Sequence, residues 1–122
     1  MPSDNKTDDT AGTDEGVTLI NVIEVSPEQI DKFMADWEQR AHHMRTLPGL
    51  RDYTLHRALL EDSRFQLVNV AHWESADAFE SAISNPKFLA MREAAFGSMD
   101  FEVQANVALY KVIASESGPA TK

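Results

Sequence analysis

Phe65-Gln66-Leu67-Val68-Asn69-Val70-Ala71-His72-Trp73-Glu74-Ser75 reads as a β-strand, because Val, Leu, Phe and Trp dominate and no Gly or Pro interrupts it. Side chains alternate across a strand, so Phe65, Leu67, Asn69, Ala71 and Trp73 share one face. Val68, Val70 and His72 share the other. Both faces are largely apolar, which asks for cover on both sides. One of them also carries an amide and an indole. A doubly covered strand with polar groups on one side points to a lined cavity.

The neighbouring segments supply the rest of the fold. Leu50 to Leu59 is a second extended run, with Tyr53, Leu55, Arg57 and Leu59 on one face. Glu61-Asp62-Ser63 turns it into the Phe65 strand, which predicts a hairpin. Upstream, Val17-Thr18-Leu19-Ile20-Asn21-Val22-Ile23-Glu24-Val25 is the first strand. Ser26-Pro27-Glu28-Gln29 then reads as a helix start, with Ser26 as cap, Pro27 at the first helical position and Gln29 closing a capping box. Ile30, Phe33, Met34, Trp37, Ala41 and Met44 recur at helical spacing. Leu47-Pro48-Gly49 ends that helix, with Gly49 as its terminator. Downstream, Ser75 caps a helix whose apolar side is Phe79, Ala82 and Ile83. Asn85-Pro86 breaks it, and Phe88-Leu89-Ala90-Met91 begins a further helical piece. Phe101 to Val112 is the last strand. It sets Phe101, Val103, Ala105, Val107 and Leu109 opposite Asn106 and Tyr110.

The order β-α-β-β-α-β predicts an α+β, ferredoxin-like fold around a four-stranded antiparallel sheet. Helices of this order cover only one face of such a sheet. The third strand is nevertheless apolar on both faces. A second copy of the chain is the simplest cover, so a homodimer through the sheet face bearing Val68, Val70 and His72 is expected.

The 122 residues fit one domain, and 43% hydrophobic residues suffice for a core. Residues 1–16 hold five acids against Lys6 alone and lack aromatics, which predicts a disordered acidic tail. Residues 17–114 form the folded domain and 115–122 a flexible end. The formal charge of −9 argues against nucleic acid or an anionic membrane surface as partner. No apolar run matches a membrane span or a signal-peptide core, so the cytoplasm is the expected compartment. The chain has no Cys, hence no disulfide, thiolate nucleophile or thiolate metal ligand.

Covalent chemistry finds few candidates. His42 and His43 are adjacent on a helix, point apart, and suit its C-terminal dipole better than a metal. His56 lies with Thr54 and Ala58, and His72 points to the expected dimer face. Ligand spacings such as HExxH, phosphate loops, nucleophile elbows and paired carboxylates are absent. What remains is Asn21 beside Leu19 and Ile23, and Asn69 with Trp73 beside Phe65 and Leu67. Two accounts fit these residues. The amides bond to backbone at strand irregularities and Trp73 is core, or a ligand satisfies them in a cleft.

From Thr18 to Val112 the chain resembles the antibiotic-biosynthesis monooxygenase family. The carriers are Ile20-Asn21-Val22-Ile23-Glu24-Val25, Leu47-Pro48-Gly49-Leu50, Val68-Asn69-Val70-Ala71-His72-Trp73-Glu74-Ser75, Ala78-Phe79 and Asn85-Pro86-Lys87-Phe88. The resemblance implies a dimeric α/β barrel. Its quinone-forming branch oxidises polycyclic anthrones with O2, without flavin, haem or metal, so no cofactor is expected. That branch places an Asn four residues before a Trp, with an Arg from the later helix, a pattern that Asn69, Trp73 and Arg92 fit as catalytic residues. A Tyr expected soon after the Trp is replaced by Phe79. The haem-degrading branch uses an Asn on the first strand, the same Trp and an axial His. Asn21 and Trp73 match it, but Arg92 stands where the His would fall. On the anthrone reading, Asn69, Trp73 and Arg92 donate to a developing oxyanion, and Asn21, Tyr53, Phe65 and Phe88 bind the aromatic substrate. A non-catalytic dimeric binder or accessory protein with the same cleft is the alternative, with haem degradation behind both.

Overall fold

The computed structural model describes residues 16–119. Strand β1 (Val17–Val25) is followed by a short 3-10 turn (Pro27–Gln29) and helix α1 (Ile30–Met44). The hairpin is β2 (Leu50–Arg57) and β3 (Leu67–Trp73). Helices α2 (Ala76–Ile83) and α3 (Pro86–Ser98) lead to β4 (Val103–Tyr110). The four strands form one antiparallel sheet in the order β2-β3-β1-β4. This is the ferredoxin-like α+β arrangement. The expected N-terminal tail lies, apart from Gly16, outside the described residues.

β3 is shorter than the sequence pattern suggests. Phe65 and Gln66 stand outside it, and the reason lies in the Gln66 side chain. Gln66 is 2% exposed. Its Nε2 donates to the carbonyls of Leu60, Glu61 and Ser63 at 3.0, 3.1 and 2.8 Å. One amide therefore ties down the β2–β3 turn by three bonds to its backbone carbonyls. Gln66→Leu should destabilise the fold by about 1–3 kcal/mol, because three hydrogen bonds made by one side chain are lost together. Urea denaturation of the variant checks this, and a midpoint equal to wild type would remove the tether from the account.

Helix starts differ from expectation in one place. No capping box forms before α1; the Ser26 hydroxyl donates to the Glu28 carboxylate, and neither Ser26 nor Gln29 makes a side-chain cap bond. The first turn is 3-10 instead, with Pro27 at its start. The other starts follow the sequence. Ser75 Oγ accepts from Ala78 N–H at 3.0 Å and Asn85 Oδ1 accepts from Phe88 N–H at 3.1 Å. Asn85-Pro86 thus opens α3 as well as ending α2. α1 stops at Met44, and Gly49 lies beyond its end, with φ +105° at the threshold of β2. β4 is two residues shorter at each end than the 101–112 run.

Alternation sorts the sheet into two faces. Leu19, Ile23, Leu67, Ala71 and Trp73 are buried beneath the helices. Each large aliphatic among them contributes roughly 1.5–3 kcal/mol of burial. On the opposite face Val68 and Val70 are half-buried and His72 is exposed, with Nδ1 2.6 Å from Asp52 Oδ1. Among the described residues, no helix is long and apolar enough to cross a membrane.

Candidate active site

Asn21 and Asn69 are register partners across β1 and β3. They interrupt two otherwise apolar rows at the same level. On one side lies the cluster of Ile23, Val25, Ile30, Phe33 and Leu67; on the other, Leu19, Ala71, Trp73 and Ala82. The helix-facing core is thus split in two where the amides sit. Between the halves a cavity of about 700 Å³ opens, within the range of small-molecule sites.

The two amides are not equivalent. Asn21 Oδ1 accepts from the backbone N–H of Asn106 at 3.0 Å, and Asn106 Nδ2 donates to Val22 O at 3.0 Å. Asn21 therefore helps to hold edge strand β4. Asn69 Oδ1 is fully buried without a hydrogen-bond partner, a condition rare for a buried polar atom. Asn21, Asn69, Trp73, Tyr53, Phe88 and Arg92 all line the cavity. Phe65 does not. It lies outside β3, with the Arg64 guanidinium 4.9 Å from its ring centroid.

The walls are aromatic and positioned by caps. The Ser75 cap sets α2 so that Phe79 meets Trp73 edge-on, with centroids 5.5 Å apart. Trp37 and Tyr53 make a similar contact at 5.5 Å. Such pairs add about 0.5–1.5 kcal/mol beyond their buried area. The Asn85 cap sets α3 so that Phe88, Arg92 and Phe96 recur one turn apart along the cavity. Phe88 is buried, while Arg92 is exposed at the rim. Tyr53 brings a phenol from β2; Phe79 occupies the later position where a Tyr was expected.

Sequence reading missed Arg40. It is 8% exposed, lines the cavity, and lies 5.4 Å from the Phe96 ring centroid. Its Nη1 is buried with no hydrogen-bond partner. Burial pulls the guanidinium below its usual pKa, Asp36 opposes this, and the positive Arg92 adds to it. The signal was present: Phe33, Trp37, Arg40 and Met44 step by four, three and four along one face. A charge on that stripe is out of place unless the stripe faces something polar. Among the described residues, no group of three or more His, Asp or Glu side chains could hold a metal.

Residues 16–94 match the family model for antibiotic biosynthesis monooxygenases. The chain belongs to the antibiotic biosynthesis monooxygenase family. A protein of Shewanella loihica PV-4, assigned provisionally as a monooxygenase, is 33% identical, with TM-score 0.67 over 81% of this chain and 95% of that one. SnoaB, a cofactor-independent oxygenase from Streptomyces nogalater, is 26% identical, with TM-score 0.64 over 85% of this chain and 97% of that one. An asparagine-substituted variant of SnoaB aligns at 24% identity and TM-score 0.67, over 83% and 96% of the two chains. No curated protein sequence matches the chain. The fold is that of these monooxygenases, and in this member the split core leaves a cavity whose floor is the Asn69 amide.

Proposed function

We propose that the protein is a cofactor-independent monooxygenase that oxidises an anthrone- or quinol-like aromatic with O2. The observation that carries this reading is Asn69 Oδ1, buried and unpartnered on the floor of an aromatic cavity while its neighbour Asn21 is satisfied. A substrate hydroxyl completes that bond. The Asn69 amide N–H, the Trp73 indole and the Arg92 guanidinium are donors for an oxyanion. Tyr53, Phe88 and Phe79 hold flat rings and keep water out.

An anthrone carries an acidic C–H between two aromatic rings and opposite a carbonyl. Loss of that proton to water leaves an enolate, stabilised by the donors. The enolate passes one electron to O2. The radical pair recombines as a carbon–oxygen bond, giving a hydroperoxide once the proton returns. Loss of water from the hydroperoxide leaves the quinone. Anthrone plus O2 thus becomes anthraquinone plus water, with one oxygen atom retained. The substrate supplies all four electrons that reduce O2, so the protein's part is binding and electrostatics. Oxygen uptake with a model anthrone tests the reading; no acceleration over buffer would favour the non-catalytic binder.

The working form proposed is a homodimer through the outer sheet face. Ile20, Val22, Val68 and Val70 are half-buried there with no helix of the described residues over them, and a second sheet is the natural cover. Light scattering at micromolar concentration should give about twice the 13.6 kDa chain mass. Val70→Asp should halve that value; a monomeric wild type would end the proposal.

A further inference from the structure

The cavity is cationic in an acidic protein. The chain carries a formal charge of −9, yet among the described residues no Asp or Glu lines the cavity, and two arginines do. Arg40 comes from α1 and Arg92 from α3. Phe96, one turn beyond Arg92, lies against the Arg40 guanidinium. Both cations therefore belong to the helical wall, opposite the Asn69 floor.

The oxyanion chemistry described above uses Arg92 and leaves Arg40 unexplained. A buried guanidinium with a free N–H is an expensive arrangement unless something pairs with it. Asp36, one turn earlier on α1, attracts it, but no ion pair within 4 Å joins them among the described residues. The face of Phe96 satisfies one side of the guanidinium plane. The in-plane Nη1 remains open, and in-plane N–H groups are those that bind carboxylates in a fork.

We infer that the substrate bears a carboxylate, which seats on Arg40 within the cavity. This deepens the oxygenase reading and rests on it for the aromatic part of the ligand. The carboxylate anchors one end of a planar molecule at the α1–α3 wall. The rings then lie across the cavity toward Trp73 and Asn69, with the oxygen that becomes the oxyanion at the floor. Arg40 is on this account a positioning and specificity residue, distinct from the groups that meet the oxyanion.

The test uses quinones, which cannot be oxidised further at carbon, so turnover plays no part. Anthraquinone-2-carboxylate and its neutral carboxamide are titrated into the protein, with tryptophan fluorescence as readout, since Trp37 and Trp73 line the cavity. A charge-assisted bond to a desolvated guanidinium should favour the carboxylate by about 10- to 100-fold. Arg40→Gln should abolish that preference and leave carboxamide affinity within about threefold. The same variant should melt at or above the wild-type temperature without ligand, because an unpaired buried charge has been removed. A residue with a purely structural role would lower the melting temperature and leave the preference intact. If Arg40→Gln fails to fold, Arg40→Lys decides: it keeps the charge without the fork, so a severalfold loss of preference supports the inference and an unchanged preference overturns it. Equal affinity of wild type for the two probes, or binding of neither, also overturns it. A protein that discriminates between the probes but consumes no oxygen with an anthrone would sink the oxygenase reading alone. One that oxidises an uncharged anthrone without discriminating would sink this inference alone.

Discussion

Asn69→Ala is expected to lower kcat/KM for anthrone oxidation by about 10²- to 10³-fold, the usual effect of removing one oxyanion donor. The loss should fall mainly on kcat, because the interaction strengthens as charge develops on oxygen. Stability should change by less than about 1 kcal/mol. Asn69 Oδ1 has no partner to lose, and the side chain borders a cavity that already exists. Asn21→Ala should behave oppositely. Its oxygen accepts from the Asn106 backbone N–H, so about 1–2 kcal/mol of stability should go with a small change in kcat. Steady-state oxygen uptake and thermal melts on both variants measure the contrast. Equal activity of Asn69→Ala and wild type would leave no catalytic use for the buried amide.

Gly49→Ala is expected to destabilise the fold by about 2–4 kcal/mol, from backbone strain and overpacking together. Gly49 has φ +105°, a region L side chains avoid. A Cβ there would stand 2.5 Å from Ala78 Cβ and 3.5 Å from Trp73 Cε3. The strand also uses the Gly49 carbonyl, which accepts from Glu74 N–H at 2.8 Å, so the backbone has little freedom to withdraw. At roughly 4–8 °C per kcal/mol for a domain of this size, the melting temperature should fall by about 8–32 °C. Ala78→Gly in the same chain separates the two causes. It removes the steric partner, so the double variant should recover at least about 1 kcal/mol relative to the sum of the single changes. The φ strain should remain. Additive effects would show that the close approach of β2 to α2 is not what excludes a side chain. Because α2 also positions Phe79 against Trp73, weakened substrate binding in Gly49→Ala is a further expected result.

Much of the fold is written in local chemistry. Strand alternation in Val17–Val25 and Leu67–Trp73, the cap residues Ser75 and Asn85, and the helical stripe from Phe33 to Met44 each depend on neighbours within a few residues. Those patterns are enough for the element order and hence the topology. The departures came where a side chain bonds in a way that the strand or cap pattern does not specify. Gln66 reads as one more strand residue, yet it turns away to bind carbonyls three, five and six positions back. Ser26 reads as a cap, yet its hydroxyl goes to Glu28. Phe65 continues the alternation on paper but stands outside the strand that would carry it to the cavity.

By itself, then, the sequence determined the β-α-β-β-α-β order, the two apolar faces of the Phe65–Ser75 strand, and the resemblance that gathers Asn69, Trp73 and Arg92. Burial periodicity and capping are short-range, so one chain suffices to read them. The tertiary structure alone decided which of two equivalent-looking asparagines is free. Asn21 Oδ1 is satisfied by a strand 85 positions away, whereas Asn69 Oδ1 meets no partner. It alone also decided that Arg40, on the apolar stripe of α1, faces a cavity, because only the packing of α1 against α3 and the sheet leaves its Nη1 buried and unpaired. Whether a polar group is satisfied depends on what the rest of the chain brings to it, and no spacing along the chain records that.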